Sequence, residues 1–321
     1  MNATHIVPGL DDPTCGIAVA AKQLIARDIG DENEVWVHSM WTPMVIKASF
    51  QALLSGKRLV RMPHGCTDPE KLKYHWHKKR WIAPIERWIF RRADRIIATC
   101  EDEAKWIKAF EPKVKRVEIV RLDGCVGRVG KGECPVSHKD RKGGELRLLY
   151  VGRLHPLKGV EFLIEALHAI QTMSDSLCHL RSLRLKIIGK DEGDGKKLRR
   201  MASDLGLDVD FCGVVNEAEK EAAYQWCDVL VLPTLSENFG LVVAEALEHG
   251  KPVITTDGAP AWGGNSLEFR VQSFEFGGEI WSGYNGSLIY LKGYRDGTRD
   301  NRVELLKNAI TSFAETLKGE K

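Results

Sequence analysis

Leu146-Arg147-Leu148-Leu149-Tyr150-Val151-Gly152-Arg153 is the stretch from which the rest of the chain can be read. A short, mostly apolar run closed by glycine has the length of a buried strand, and Val160 to Met173 then sets apolar residues at 160, 163, 164, 167 and 170, the spacing of one helix face. The pairing repeats. Strands are predicted at Leu183 to Ile188, Val209 to Cys212, Val229 to Leu232 and Val253 to Thr255, with helices at Lys196 to Leu205, Glu217 to Trp226 and Leu241 to His249 between them. Strands joined through helices of this length need crossover connections, hence a parallel sheet covered on both faces.

Upstream the rhythm is the same but weaker. Strands are expected at His5 to Val7, Glu34 to Val37, Arg58 to Met62, Arg95 to Ala98 and Val117 to Val120, and helices near 16 to 29, 43 to 55, 69 to 92 and 101 to 110. Residues 121 to 144 hold six glycines and scattered charges without apolar periodicity. The predicted organisation is a shortened N-terminal domain over 1–125, a linker over 126–144, a C-terminal domain over 145–300 and a closing helix over 301–321. The expected fold class is α/β, two doubly wound Rossmann-like domains facing each other, with ligands in the cleft at the carboxyl ends of their strands.

Composition sets bounds on partners. The chain has 321 residues, 43% hydrophobic and 28% charged, which is ordinary for a globular protein of two domains at roughly 150 residues each. With 47 basic against 44 acidic residues, the net charge of +3 is too small to make nucleic acid or membrane the partner of the whole molecule. Met1-Asn2-Ala3-Thr4-His5 lacks the basic and apolar regions of a secretory signal, and no stretch reaches the ~18 apolar residues of a spanning helix, so a cytoplasmic protein is expected. The eight cysteines form no Cys-x-x-Cys pair and no zinc spacing, and are read as reduced thiols.

Two motifs carry chemistry. In Gly152-Arg153-Leu154-His155-Pro156-Leu157-Lys158-Gly159, two cations five residues apart sit in a glycine-bounded turn before a helix, an arrangement suited to a diphosphate. In Pro233-Thr234-Leu235-Ser236-Glu237-Asn238-Phe239-Gly240-Leu241-Val242-Val243-Ala244-Glu245-Ala246, two carboxylates flank a helix start. Carboxylates beside a phosphate would repel it unless they bond hydroxyl groups. A ligand with both phosphate and polyol, such as a sugar nucleotide, meets that demand.

Gly152-Arg153 with Lys158-Gly159, then Glu237-x-Phe239-Gly240-x-x-x-x-Glu245-Ala246 and Gly250-x-Pro252-Val253-Ile254, resembles the family-4 glycosyltransferases of the GT-B fold. The likeness is strong over 146 to 260 and continues weakly upstream through His5-Ile6-Val7-Pro8, Gly16, His38-Ser39-Met40-Trp41, Pro63-His64-Gly65 and Ala93 to Ala98. It implies retaining transfer of a sugar from a nucleotide-diphosphate sugar to a glycan or lipid-linked acceptor, of the kind that builds surface polysaccharide or lipopolysaccharide, with no cofactor and no obligatory metal. Arg153 and Lys158 would hold the diphosphate, with Gly152 allowing close approach, and Glu237 with the N–H groups of Asn238, Phe239 and Gly240 would hold the sugar. Glu245 would take the ribose hydroxyls, the backbone around Val214 would border the base, and Gly16 would let the N-terminal loop approach the phosphates. His64, flanked by Pro63 and Gly65, would contact the donor sugar from the N-terminal domain. His38 and Trp41 are expected to line the acceptor side.

The N-terminal half is short for the family. Arg27 to Gly30 runs almost directly into Glu34, where relatives usually carry another strand-helix-strand section. A second reading, a weakly catalytic sugar-nucleotide-binding protein with an incomplete acceptor domain, follows from that departure. Asp208-Val209-Asp210 spells a metal-binding Asp-x-Asp but leads into a strand, so it is read as a strand entry. From Lys57 to Arg95, twelve Lys/Arg face four Asp/Glu, and aromatics are interleaved with cations from Leu72 to Ile82. On a helix, 71–92 suits peripheral contact with an anionic membrane, or else its aromatics pack in the core while the cations are solvated. No nucleic-acid recognition module accompanies this charge.

Overall fold

The computed structural model describes residues 3–12, 15–27, 30–120, 122, 145–173, 182–263, 280–283 and 288–319. The chain divides into two compact units, Met1–Val126 and Gly127–Lys321. The expected linker, 126–144, lies outside the described residues.

The first unit holds, in chain order, β1 (Thr4–Ile6), α1 (Gly16–Ala26), β2 (Glu34–His38), α2 (Pro43–Leu54), β3 (Arg58–Met62), α3 (Pro69–Lys73), α4 (Trp76–Arg92), β4 (Arg95–Ala98), α5 (Glu101–Phe110) and β5 (Val117–Ile119). Its strands are parallel and lie in strict sequence order, β1-β2-β3-β4-β5. The single helix expected over 69 to 92 is two helices. Tyr74 is extended and His75 left-handed at φ 55°, which breaks the axis, and the Lys79 ammonium donates across the break to the Lys71 carbonyl. All five residues of β2 are buried, including Glu34, whose carboxylate accepts from Arg95 at 2.9 Å and from the Trp36 indole at 3.0 Å.

The second unit holds β6 (Glu145–Val151), α6 (Val160–Thr172), β7 (Ser182–Ile188), α7 (Gly195–Asp204), β8 (Asp208–Gly213), α8 (Glu217–Trp226), β9 (Val229–Leu232), α9 (Leu241–Glu248), β10 (Val253–Thr256), β11 (Ile280–Gly283), β12 (Leu288–Leu291) and α10 (Arg299–Gly319). The strand order is β11-β12-β10-β9-β6-β7-β8, parallel except for the antiparallel β11–β12 pair. Strands after β6 extend the sheet first one way, through β7 and β8, and then the other, from β9 onward. The order therefore reverses between β6 and β9, and ligand crevices of doubly wound sheets form at the carboxyl ends of strands flanking such a reversal.

Burial explains why this sheet is rigid enough to hold a site. Val229, Leu230, Val231 and Leu232 are all buried, and α6 presses Leu163, Ile164 and Leu167 onto the sheet while α10 covers α6 with Leu306, Ile310 and Phe313. Each such side chain contributes about 1.5–3 kcal/mol on burial. The capping box of α8, in which Asn216 and Glu219 exchange side-chain to backbone bonds of 2.9 Å, fixes the start of that helix beside the strand ends.

Candidate functional site at the strand ends

The loops after β6 and β9 meet at the reversal point. The Leu235 N–H donates to the Leu157 carbonyl at 2.9 Å, and the Thr234 hydroxyl donates to the same oxygen at 3.2 Å. Gly159, left-handed at φ 65°, lies where a Cβ would run into the Pro233 carbonyl. Glycine there lets the two loops touch. The loop after β10 closes from the other side: the Glu237 N–H donates to the Gly258 carbonyl at 2.7 Å, and the Trp262 indole donates to the Phe239 carbonyl while its ring packs 5.2 Å from that of Phe239.

Three of the predicted residues are brought together here. Lys158 is buried, and its ammonium donates to Glu237 Oε2 at 2.5 Å and to the Ser236 carbonyl at 3.1 Å, joining positions 79 apart in sequence. The Glu237 side chain keeps 24% of its surface exposed, so a second partner can reach it. Its other oxygen accepts from the Asn238 N–H at 3.1 Å. Arg153 stands apart from this pair, 49% exposed, its guanidinium bonded at 2.8 Å to Glu192 from the loop after β7. The Tyr150 hydroxyl beneath Gly152 donates to the Arg153 carbonyl at 2.9 Å and so holds the turn.

Glu245 lies in α9, which starts at the left-handed Gly240. Its carboxylate accepts from the buried Tyr224 hydroxyl at 2.8 Å and pairs with Lys220 of α8 at 3.3 Å. Val214 follows β8 and is 58% exposed, a large apolar side chain open to solvent at the carboxyl edge of the sheet. Asp208 and Asp210 lie within β8, as a strand entry requires, and Asp208 is paired with Arg184 at 3.0 Å. Among the described residues no group of three His, Cys, Asp or Glu is placed to hold a metal.

In the first unit, Gly16 opens α1, and a Cβ there would meet nothing within 4 Å. Its own surroundings do not require glycine. His64 follows β3 with a left-handed φ of 53°, and Ser39 and Trp41 after β2 share that strained conformation at 72° and 70°. Buried charge holds these turns. Glu103 of α5 accepts from the Gly65 N–H at 2.5 Å and from the Thr99 N–H and hydroxyl, both at 2.7 Å. Arg61, wholly buried in β3, donates to Glu86 at 3.1 Å, to the Ser49 hydroxyl and to the Ser39 carbonyl, while Glu86 also accepts from the Trp41 N–H at 2.8 Å. Sequence reasoning missed Arg61, Glu86 and Glu103. The one available signal was an arginine inside the apolar run Leu59 to Met62.

His38 does not line a cavity. It is fully buried between His64, at 2.8 Å from its Nδ1, and His5, at 3.0 Å from its Nε2. Burial drives His64 down to about 3, with the nearby Lys71 charge adding to the effect, and pushes His38 well below the ordinary histidine value. Both rings are neutral at physiological pH.

The basic segment is divided between the two readings. In α4, Ile89 and Phe90 are buried and Trp88 stacks on Phe50 at 5.1 Å, but Trp81 is 72% exposed and Trp76 46%. Leu54 and Met44 of the neighbouring α2 are also exposed. No helix among the described residues is long and apolar enough to cross a membrane.

Residues 2–121 match the family described as Glycosyltransferase Family 4, and residues 145–268 the one described as Glycosyl transferases group 1. A D-inositol 3-phosphate glycosyltransferase of Rhodococcus erythropolis is 27% identical over 239 residues, covering 72% of this chain and 49% of that protein. The Streptomyces scabiei protein of the same name is 31% identical over 180 residues, 53% of this chain and 40% of its own length. The chain thus spans half or less of these curated relatives. Among solved structures, WaaG, a glycosyltransferase involved in lipopolysaccharide biosynthesis, aligns with TM-score 0.63 at 18% identity over 98% of this chain and 93% of its own. Anabaena HepE, in complex with UDP and glucose, aligns with TM-score 0.56 at 18% identity over 94% and 76%. With a family-4 domain in its first half, a group-1 domain in its second and GT-B structural neighbours, the chain belongs to the family-4 glycosyltransferases.

Proposed function

We propose that this protein is a retaining glycosyltransferase that moves a sugar from a nucleotide-diphosphate sugar to a glycan or lipid-linked acceptor, in the synthesis of a surface polysaccharide or lipopolysaccharide. The observation that carries the reading is the Lys158–Glu237 contact of 2.5 Å at the reversal point of the second sheet, with Arg153 on the same strand-end turn. A buried ammonium fixed beside a half-open carboxylate suits a ligand with a diphosphate and sugar hydroxyls next to each other. Lys158 and Arg153 stabilise the charge that grows on the departing diphosphate as the anomeric carbon becomes oxocarbenium-like. This is stabilisation by fixed charge, and it requires neither a cofactor nor an obligatory metal.

Glu237 orients the sugar, together with the backbone of Asn238, Phe239 and Gly240, and Glu245 takes the ribose hydroxyls, its carboxylate aimed by Tyr224. Gly16 and Gly152 admit phosphate close to the backbone, Val214 borders the base, and His64 contacts the donor sugar. Exposed Trp76 and Trp81 among the cations of α4 favour peripheral contact with an anionic membrane surface, where a lipid-linked acceptor would lie. The reading supposes a protein acting at the inner, cytoplasmic face.

The test is donor hydrolysis with a panel of nucleotide-diphosphate sugars, the anomeric configuration of the released sugar being read by NMR at early times. Retention of configuration is expected, and inversion overturns the mechanism. His64→Ala should leave donor affinity in place while turnover falls ~100-fold, about 2.7 kcal/mol of transition-state stabilisation.

A further inference from the structure

Three adjacent strands each deliver one histidine to the same edge of the first sheet: His5 within β1, His38 at the end of β2 and His64 just past β3. Their rings form a stack, with centroids 5.3 Å apart between His5 and His38 and 5.1 Å between His38 and His64, and interplanar angles of 29° and 24°. Two hydrogen bonds between ring nitrogens run through it, His5 Nδ1 with His38 Nε2 at 3.0 Å and His38 Nδ1 with His64 Nε2 at 2.8 Å. Among the described residues, Nδ1 of His64 has no hydrogen-bond partner.

A neutral imidazole has one N–H and one lone pair, and each of these bonds needs one of each. Three neutral rings can therefore order their protons in only two ways. Either every ring carries its proton on Nδ1 or every ring carries it on Nε2, because reversing one bond at His38 forces the other to reverse. The Nε2–H form is the more stable tautomer of a neutral histidine side chain in water, so the second order places no ring in its less stable form. Charged groups facing the stack are Arg61 of β3, paired with Glu86 of α4, and Lys71 of α3, while Glu103 of α5 anchors the turn that carries His64. Burial and the two nearby cations keep His38 and His64 from protonating, and the two orders apply where His5 is neutral as well.

We propose that His38, backed by His5, is a positioning residue that locks His64 in its Nε2–H tautomer, so that His64 offers the lone pair of Nδ1 to a hydroxyl of the donor sugar. This rests on the reading of His64 as a sugar contact given above, and it adds which nitrogen acts, in which state, and what holds it there.

The experiment is long-range proton–nitrogen correlation NMR on the full chain with labelled histidine, at pH 7.5 and without ligand, paired with kinetics on the same variants. In the wild type His64 and His38 are each expected to carry the proton on Nε2. In His38→Phe the His64 signals should move to an average of two tautomers, and turnover should fall ~10-fold with the donor KM changed less than ~2-fold. His38→Asn, whose amide oxygen can still accept from His64 Nε2–H, should restore the single tautomer and most of the turnover. His5→Phe probes the same coupling from the far end of the stack should His38→Phe not fold, and is expected to loosen the His38 tautomer with a smaller kinetic loss. A wild-type His64 protonated on Nδ1, or one tautomer in every variant, overturns the locking. If the tautomers behave as described while both His38→Phe and His64→Ala turn over normally, the coupling stands and the sugar contact is what fails.

Discussion

The two units differ in how they use ionisable groups: the second buries Lys158 but leaves its partner Glu237 partly open, whereas the first buries both members of the Arg61–Glu86 pair. At the carboxyl edge of the second sheet, charge is presented: Arg153 is 49% exposed, Glu237 24% and Glu245 28%, each partly paired and partly open. At the same edge of the first sheet charge is hidden. Arg61 and Glu86 have no exposed side-chain surface, Glu103 is equally buried, and all three bond the backbone of turns that hold left-handed residues. The second unit thus has groups suited to binding a charged ligand, and the first has groups that fix shape.

That contrast can be broken by experiment, beginning with the largest effect. Glu86→Ala leaves Arg61 buried without its counter-ion and removes the acceptor of the Trp41 N–H, so it should lower the stability of the chain by about 3–5 kcal/mol, measured by urea unfolding. Lys158→Ala should leave unfolding less affected but reduce turnover ~100- to 1000-fold, about 2.7–4 kcal/mol, as when a charge-stabilising donor is removed from a reacting group. A comparable loss of stability and turnover in both variants would erase the distinction between the units.

The smaller effect concerns pH. His64 titrates at about 3 when folded and near 6.5 when unfolded, so between those values the unfolded chain binds the extra proton and stability rises with pH. Stability contributed by the neutral ring is whole above 6.5 and is lost as pH falls toward 3. From pH 8 to pH 5 the loss should be about 2 kcal/mol from His64, with His38 adding in the same direction. His64→Phe should flatten that dependence, and an unchanged slope would show that the ring is not held neutral by burial.

The second unit was far more legible in the sequence than the first. Its central strands are buried, β9 wholly and β6 over Leu148 to Val151, and these read as apolar runs, and its site residues sit close to strand ends and helix starts. Lys158 and Glu237 could be picked out as neighbours because each belongs to a motif with its own reason for glycine. What could not be read depends on tertiary partners. The break at His75 has no glycine or proline to announce it, since it is Lys79 reaching the Lys71 carbonyl that bridges the two helices. β11 and β12 are four-residue strands in a glycine-rich segment, too short to show a period. Buried Glu86 and Glu103 look like solvated helix residues until their backbone partners are known. His38 resembled a cavity residue for the same reason: its role comes from His5, 33 positions away, and His64, 26 positions away.

The central claim, that the second unit's presented charges bind a nucleotide-diphosphate sugar, is tested most directly by calorimetric titration of nucleoside diphosphates and their sugars into the full chain and its Glu245→Ala variant. At least one such ligand should bind the wild type, and the variant should bind it ~10-fold or more weakly, about 1.4 kcal/mol, through loss of the ribose contact. Equal affinity in the two proteins, or no binding of any nucleotide sugar by the wild type, would contradict the account.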